Sequence, residues 1–147
     1  MNKKDYPADM SYFRLALLAF LRESHPQLLS DEKFINARTE AALDVYEQSV
    51  KNGSNAIEAG YSANETLFVG LHFSKHDTLK NILWNEFVNE VPEDEAAALA
   101  IKLLPECESV FAGYPLSDDF ADSSEYDLLY TELTGTITIY LEGHELQ

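Results

Sequence analysis

Two histidines, His72 and His76, have the spacing of a pair of metal ligands on one helix face. In a zinc protease the residue after the first histidine is glutamate, and here it is Phe73. Ser74 lies between the histidines in the sequence context of a helix N-cap, which places them on opposite sides of a helix boundary. We therefore expect no metal site, a partly buried structural His72, and a His76 in a first helical turn.

The densest cluster of acidic residues has the side-chain type that binds calcium. Its members are Asp118, Asp119, Asp122, Glu125 and Asp127. An EF-hand loop needs ligands at alternate positions, a glycine at the sixth position and a glutamate at the twelfth, and this register is missing. We expect either a solvated loop or a patch that binds a basic protein, and these residues form the candidate partner-binding site.

No residue pattern predicts catalysis or a cofactor. The single cysteine, Cys107, has Glu106 and Glu108 as neighbours, and negative charges disfavour the nucleophilic thiolate by raising the pKa of a thiol. No serine lies in a Gly-x-Ser-x-Gly elbow, and the six glycines lack the spacing of a phosphate-binding loop. The sequence therefore predicts a protein that is not an enzyme, with no catalytic residues and no cofactor.

The charge is distributed unevenly along the chain. The formal net charge is −16, and residues 103–147 contain ten Asp or Glu and no Lys or Arg. Phosphate backbones are bound through Lys and Arg, so this composition argues against direct nucleic-acid binding and against an acidic membrane. We expect residues 103–147 either to bind a basic partner or to contribute to solubility alone.

Two further features concern cellular location. The longest purely apolar run, residues 15–21, has seven residues and is too short to span a bilayer. With one cysteine the chain can form no disulfide within itself, and nothing indicates an oxidising compartment. We expect a cytoplasmic protein without a membrane-spanning segment.

Capping residues and helix breakers divide the chain into helices. The first, over Met10–Leu21, is apolar nearly all round and is therefore expected in the middle of a bundle. Three serines are the expected N-caps of the next helices: Ser30, Ser54 and Ser74. A fifth helix is expected to begin at Pro92 and to end at Pro105.

Helical periodicity predicts which side chains face the core. In the third helix the inward series is Ile57, Tyr61, Asn64, Phe68 and Leu71. In the fourth helix it is Leu79, Ile82, Leu83 and Phe87, with Trp84 and Val88 beside them and Lys80 facing solvent. If Trp84 is buried, Trp84→Ala should cost about 3 to 5 kcal/mol of stability.

Residues 136–141 fit either a helix or a strand. The segment alternates as a strand does and is rich in β-branched residues, yet Leu129, Leu133, Ile137 and Leu141 recur at every fourth position. Because no second strand is predicted to pair with it, we favour a helix, with strand pairing across a dimer as the alternative. The expected fold is mainly α, a single-domain bundle of about five to seven helices over residues 1–147.

Three segments of the chain carry a resemblance to a known family. They are Ser11–Pro26, Leu71–Phe87 and Tyr126–Glu142, which read SYFRLALLAFLRESHP, LHFSKHDTLKNILWNEF and YDLLYTELTGTITIYLE. Together they resemble a bacterial family, the domain of unknown function 1896, over nearly the whole chain. The resemblance implies a small, mainly helical, single-domain protein, and members of such families are often encoded near mobile genetic elements. It implies no activity and no functional residues.

Two functions fit these observations. The first is an acidic protein–protein interaction module whose partner is another protein, a basic one in particular, or a second copy of the chain. Aromatic residues among the acids of the C-terminal third suit such a surface, because aromatic anchors with a charged rim are typical of interfaces. The alternative is a DNA-mimicking decoy that occupies a nucleic-acid-binding protein, since residues 103–147 carry only negative charge.

Overall fold

A computed structural model describes residues 10–145 and is mainly helical. Its six α-helices are α1 (Met10–Ser24), α2 (Glu32–Lys51), α3 (Ala56–Phe68), α4 (Lys75–Glu86), α5 (Ala96–Phe111) and α6 (Tyr126–Glu145). Residues 10–145 contain no strand, which confirms the mainly α prediction. No helix in this range combines the length and the apolar character that a membrane crossing requires.

The chain folds as two compact units, the first reaching Leu71 and the second beginning at His72. Helices α1 to α3 build the first unit around its own apolar core, and α4 to α6 build the second around another. The prediction of one domain over residues 1–147 requires these two units to associate with each other. It stays a prediction.

Two helix starts in the first unit lie one residue later than predicted. Asp31 rather than Ser30 caps α2, and Asn55 rather than Ser54 caps α3. The Asn55 side chain accepts a hydrogen bond from the N–H of Glu58, whose carboxylate accepts one from the N–H of Asn55 in return. This reciprocal pair satisfies two amides that a helix start leaves open, which a serine one residue earlier does not achieve.

The first helix is amphipathic rather than central. Phe13, Leu17 and Leu21 are buried, but Leu15 is 67% exposed. The predicted place in the middle of a bundle is therefore wrong. Its buried residues belong to the core that it shares with α2 and α3, so one face of α1 is packed and Leu15 lies on the other.

The prediction for the third helix holds only at its C-terminal end, where Phe68 packs against the first core and Leu71 is buried just after the helix, whereas the earlier turns bury a different face. Ile57 and Tyr61 are 70% and 68% exposed, whereas Ala59, Ala63 and Leu67 are fully buried. The two alanines lie on the side of α3 that packs against the rest of the first core. Small side chains let two helix axes come close, so packing density decides this face against the larger side chains.

The inner face of the fourth helix is buried as predicted, but the residues beside that face differ from their predictions. Leu79, Ile82 and Leu83 are fully buried, whereas Trp84 is 42% exposed. Lys80, expected in solvent, is 8% exposed: its ammonium lies 3.2 Å from the Asp77 carboxylate while its aliphatic stem is covered. The expectation that Trp84 is buried is therefore wrong.

Both predicted ends of the fifth helix are wrong. Pro92 precedes a short 3-10 turn, Glu93–Glu95, and the α-helix begins only at Ala96. At the other end the helix continues through Pro105 as far as Phe111. The side chains of Leu104 and Cys107 on either side of Pro105 are buried, so core packing carries the helix past the proline.

The C-terminal segment 136–141 lies inside α6, which confirms the helix and excludes the strand. Leu129, Leu133 and Ile137 are fully buried at the predicted four-residue spacing. The β-branched threonines fit because their hydroxyls bond within the helix: Thr138 Oγ1 donates to the carbonyl oxygen of Thr134 at 2.8 Å. Burial of one stripe therefore outweighs the strand propensity of the segment.

Candidate functional site

The predicted acidic cluster lies on the connection between α5 and α6, which a buried ring holds in place. Phe120 is 2% exposed, and its ring centroid lies 5.3 Å from that of Phe73 and 5.8 Å from that of Tyr114, both edge to face. Aromatic pairs of this geometry add to the stability that burial provides. The connection is therefore a packed segment whose carboxylates are carried on a fixed backbone.

Asp118 has a structural role within this segment. Its Oδ1 accepts a hydrogen bond from the backbone N–H of His72 at 3.1 Å, and its Oδ2 lies 4.0 Å from His72 Nε2. This contact ties the connection to the start of the second unit. Of the predicted partner-binding residues, Asp118 is thus the one that contacts His72 at the start of the second unit.

Three of the remaining acids lie around one shallow depression of about 230 Å³. They are Asp119, Asp122 and Glu125, and Phe120 contributes an apolar part of the lining. Asp119 Oδ1 accepts a hydrogen bond from Ser117 Oγ at 2.7 Å. We refer to Asp119, Asp122 and Glu125 as the acidic triplet.

Asp127 lies outside this depression. It is in the first turn of α6, where its negative charge suits the positive end of the helix dipole. Within residues 10–145, neither Asp127 nor any member of the acidic triplet forms an ion pair with a lysine or arginine. The structure therefore brings three of the five predicted residues together and leaves their charge uncompensated.

Tyr114 lies on the connection that carries the triplet, with its ring against that of Phe120. Its hydroxyl donates a short hydrogen bond to Glu132. That bond, followed by burial and by the charges of Glu132 and Glu125, raises the pKa of Tyr114 from 10.0 to about 12. The raised pKa of Tyr114 therefore reflects mainly its hydrogen bond to Glu132, and Glu125 of the triplet adds the smallest contribution.

The two histidines have separate environments. Ser74 caps α4 as predicted, accepting a hydrogen bond from the N–H of Asp77 at 2.9 Å. His72 precedes the helix with 57% of its side chain exposed, whereas His76 is 3% exposed within it. In the part of the chain that the structure describes, no three metal-ligating side chains are placed to hold an ion.

Cys107 is fully buried in the core of the second unit. Burial, followed by the charge of Glu106, raises the pKa of its thiol to about 11. The side chain is thus a packed hydrophobic group and a poor nucleophile, as the sequence predicts.

A second surface was missed by the sequence analysis. Trp84, Val88, Val91 and Glu93 line a depression of about 280 Å³. Trp84 and Val88 are 42% and 69% exposed, so their apolar groups face solvent. The signal in the sequence was the position of Trp84 and Val88 beside the inner face of the fourth helix and outside it.

Comparisons with known proteins agree with the resemblance seen in the sequence. The model of the family described as domain of unknown function DUF1896 matches residues 5–146. Among solved structures, the crystal structure of protein PG0816 from Porphyromonas gingivalis is similar, with 44% sequence identity, a TM-score of 0.88 and 94% of each chain covered. Among curated proteins none matches. Because the family match spans nearly the whole sequence, the chain belongs to the DUF1896 family.

Proposed function

We propose that this protein is a non-enzymatic interaction module that binds a basic partner protein through the acidic triplet. The observation that carries the proposal is the placement of Asp119, Asp122 and Glu125 around one depression, without a basic side chain of residues 10–145 paired to them. A lysine or arginine of a partner would enter a region of concentrated negative potential. We further propose a cytoplasmic location, since a single cysteine gives no disulfide framework.

The position of the triplet supports this role. A cation supplied by a partner is attracted by three carboxylates that line one depression. Phe120 fixes the backbone beneath them, so binding requires little ordering of the segment. The net charge of −16 also attracts basic proteins at long range, which raises the rate of encounter at low ionic strength.

The test is the binding of a fluorescein-labelled octa-arginine peptide, followed by fluorescence anisotropy at low and at physiological salt. The variant D119N/D122N/E125Q removes the charges of the triplet. Its matched control is E40Q/D44N/E47Q, which removes three charges from exposed positions of α2 in the first unit. Both variants have the same net charge, so the comparison separates a site from a general charge effect.

We expect the triplet variant to weaken binding about tenfold, which corresponds to about 1.4 kcal/mol, and the control to change it less than about twofold. Equal losses in the two variants would show that the peptide responds to total charge alone. That outcome would contradict a site at the triplet.

The decoy remains the second proposal, favoured by the absence of Lys and Arg from residues 103–147. Against the decoy stands the charge density of α6, which is lower than that of DNA. Helix α6 has 20 residues and is about 30 Å long, and it carries four acids. A DNA duplex of that length presents roughly 18 phosphate charges. A stoichiometric amount of protein that inhibits a restriction or conjugation nuclease would favour the decoy, and the absence of inhibition would count against it.

A further inference from the structure

The surface around Trp84 combines exposed apolar groups with a rigid aromatic side chain. Trp84 is on α4, and Val88 is in the turn that follows the helix. With Val91 and Glu93 they line the depression of about 280 Å³. We call these four residues the Trp84 surface.

The indole of Trp84 is held in position although it is half exposed. Its Nε1–H donates a hydrogen bond to the backbone carbonyl oxygen of Glu93 at 3.1 Å, and Lys80 Nζ lies 5.8 Å from the ring centroid. A fixed aromatic ring loses little conformational freedom when a partner packs on it. Trp is also the residue type most often found as an energetic anchor of interfaces.

A second depression of about 250 Å³ adjoins the first, and Val91 lines both. Leu99 and Leu141 contribute apolar lining to the second depression, and Glu90 and Glu95 contribute carboxylates. The two depressions therefore form a continuous apolar floor along Val91 with acids beside it.

The charge beside this floor is mainly negative and unpaired. Glu90, Glu93 and Glu95 form no ion pair with any basic side chain in the described range 10–145. Of the two lysines nearby, Lys102 lines the second depression, and Lys80 lies against Asp77 at 3.2 Å. An apolar centre with an acidic rim is complementary to an apolar side chain flanked by cations.

We propose that the Trp84 surface docks a cationic amphipathic segment of another protein. An apolar side chain of that segment occupies the depression beside Trp84 and Val88, while its flanking Lys or Arg side chains meet the rim glutamates. A second copy of this chain is the wrong occupant, because a two-fold contact places the same acidic rim against itself. This surface is separate from the acidic triplet, and the proposal does not depend on the triplet's role.

Trp84 provides a direct readout, because it is the single tryptophan of the chain. The probe is a synthetic amphipathic helix composed of Leu and Lys, titrated into the full-length protein while tryptophan emission is recorded. Two matched peptides serve as comparisons, one with Glu in place of Lys and one with Ser in place of Leu. We expect a saturable blue shift with the Leu/Lys peptide and none with the other two. A response of the same size to either comparison peptide would overturn the proposal.

Two variants locate the binding. Val88→Lys places a positive charge in the depression, and Ile139→Lys makes the same charge change on α6 at a comparable exposure, 72% against 69%. Both positions are exposed, so circular dichroism should show both variants folded. We expect Val88→Lys to weaken Leu/Lys peptide binding about tenfold or more and Ile139→Lys to weaken it less than about twofold.

The remaining outcomes are also decisive. Equal effects of Val88→Lys and Ile139→Lys would overturn the proposal, as would loss of the blue shift in D119N/D122N/E125Q, which would move the binding to the acidic triplet. Sedimentation of the protein without peptide tests the other occupant. A dimer that Val88→Lys dissociates would assign the Trp84 surface to a second copy.

Discussion

The imidazole of His76 lies 3.1 Å from the backbone carbonyl oxygen of Ala97 through its Nε2 atom, and it joins α4 to the first turns of α5. His76 is 3% exposed. Because a carbonyl oxygen can only accept, the Nε2 atom carries the proton in this contact. The other ring nitrogen, Nδ1, has no hydrogen-bond partner among the described residues.

The first prediction concerns this contact. We expect His76→Ala to lower the free energy of unfolding by about 2 to 4 kcal/mol, because it creates a cavity and leaves the carbonyl oxygen of Ala97 without its donor. Urea denaturation measures the change. Asn81→Ala, at an exposed position of the same helix, should stay within about 0.5 kcal/mol. Equal losses in the two variants would show that the buried imidazole contributes nothing specific.

The second prediction corrects the expectation for Trp84. Since the side chain is 42% exposed, Trp84→Ala should cost about 1 to 2 kcal/mol instead of the 3 to 5 kcal/mol of a buried tryptophan. Trp84→Phe keeps most of the ring contact and loses the hydrogen bond to Glu93, so its cost should be about 1 kcal/mol or less. A loss above about 3 kcal/mol for the alanine variant would mean that the ring is buried.

The third prediction concerns the proline inside α5. Pro105 has no N–H to donate to the carbonyl oxygen of Ile101, one helical turn earlier, and its side chain is exposed. Pro105→Ala should therefore raise the free energy of unfolding, by about 1 to 3 kcal/mol. The exposed Lys102→Ala on the same helix is the control and should change stability by less than about 0.5 kcal/mol. A destabilised Pro105→Ala would show that the proline ring makes contacts that the helix needs.

The fourth prediction concerns the reactivity of Cys107. Because the side chain is fully buried and the pKa of its thiol is raised to about 11, a colorimetric disulfide reagent at pH 8 should leave the native protein unmodified. The same reagent should modify the thiol fully in denaturant. Rapid reaction of the native protein would contradict the packed position of Cys107.

The raised pKa of Cys107 also predicts a pH dependence of stability. In the folded protein the thiol keeps its proton up to about pH 11, whereas in the unfolded chain it loses the proton near its ordinary pKa of 9.0. Because the unfolded chain releases its proton first, rising pH favours unfolding between pH 9 and 11. The stability that the protonated thiol contributes is therefore complete below pH 9 and is lost as the pH rises to 11. Urea denaturation from pH 8 to 11 should show a smaller decline in Cys107→Ala than in the parent protein.

The existence of the helices and some of their boundaries follow from local sequence. Ser74 accepts a hydrogen bond from the N–H of Asp77 as its sequence context predicts. Gly53, just after α2, has a φ of +100°, a conformation that glycine adopts readily at helix ends. The buried series Leu129, Leu133 and Ile137 identified α6 in the same way. These signals are readable because a cap or a periodic stripe involves residues only three or four positions apart.

The sequence predicts that acidic residues cluster in the segment 118–127, but it does not predict which of their carboxylates lie together. The charges of this segment are visible in the sequence, but Asp118 and Asp119 are neighbours with different roles. Asp118 bonds to His72, which is 46 residues away along the chain, and Asp119 lies at the edge of the depression. The difference between the two neighbours therefore depends on the fold of this segment, in which Phe120 packs against Phe73.

The sequence alone determined the helical class, the family resemblance, the excess of negative charge and the absence of a recognisable catalytic motif. The tertiary structure decided which face of each helix is buried. In α3 the series Ile57–Tyr61 and the series Ala59–Ala63 both fit a helical period, and close packing selects the alanines. Likewise, Trp84 and Leu83 are adjacent and both apolar, yet only Leu83 enters the core. Periodicity shows that a stripe exists, but the shape of the neighbouring helices determines which stripe they cover.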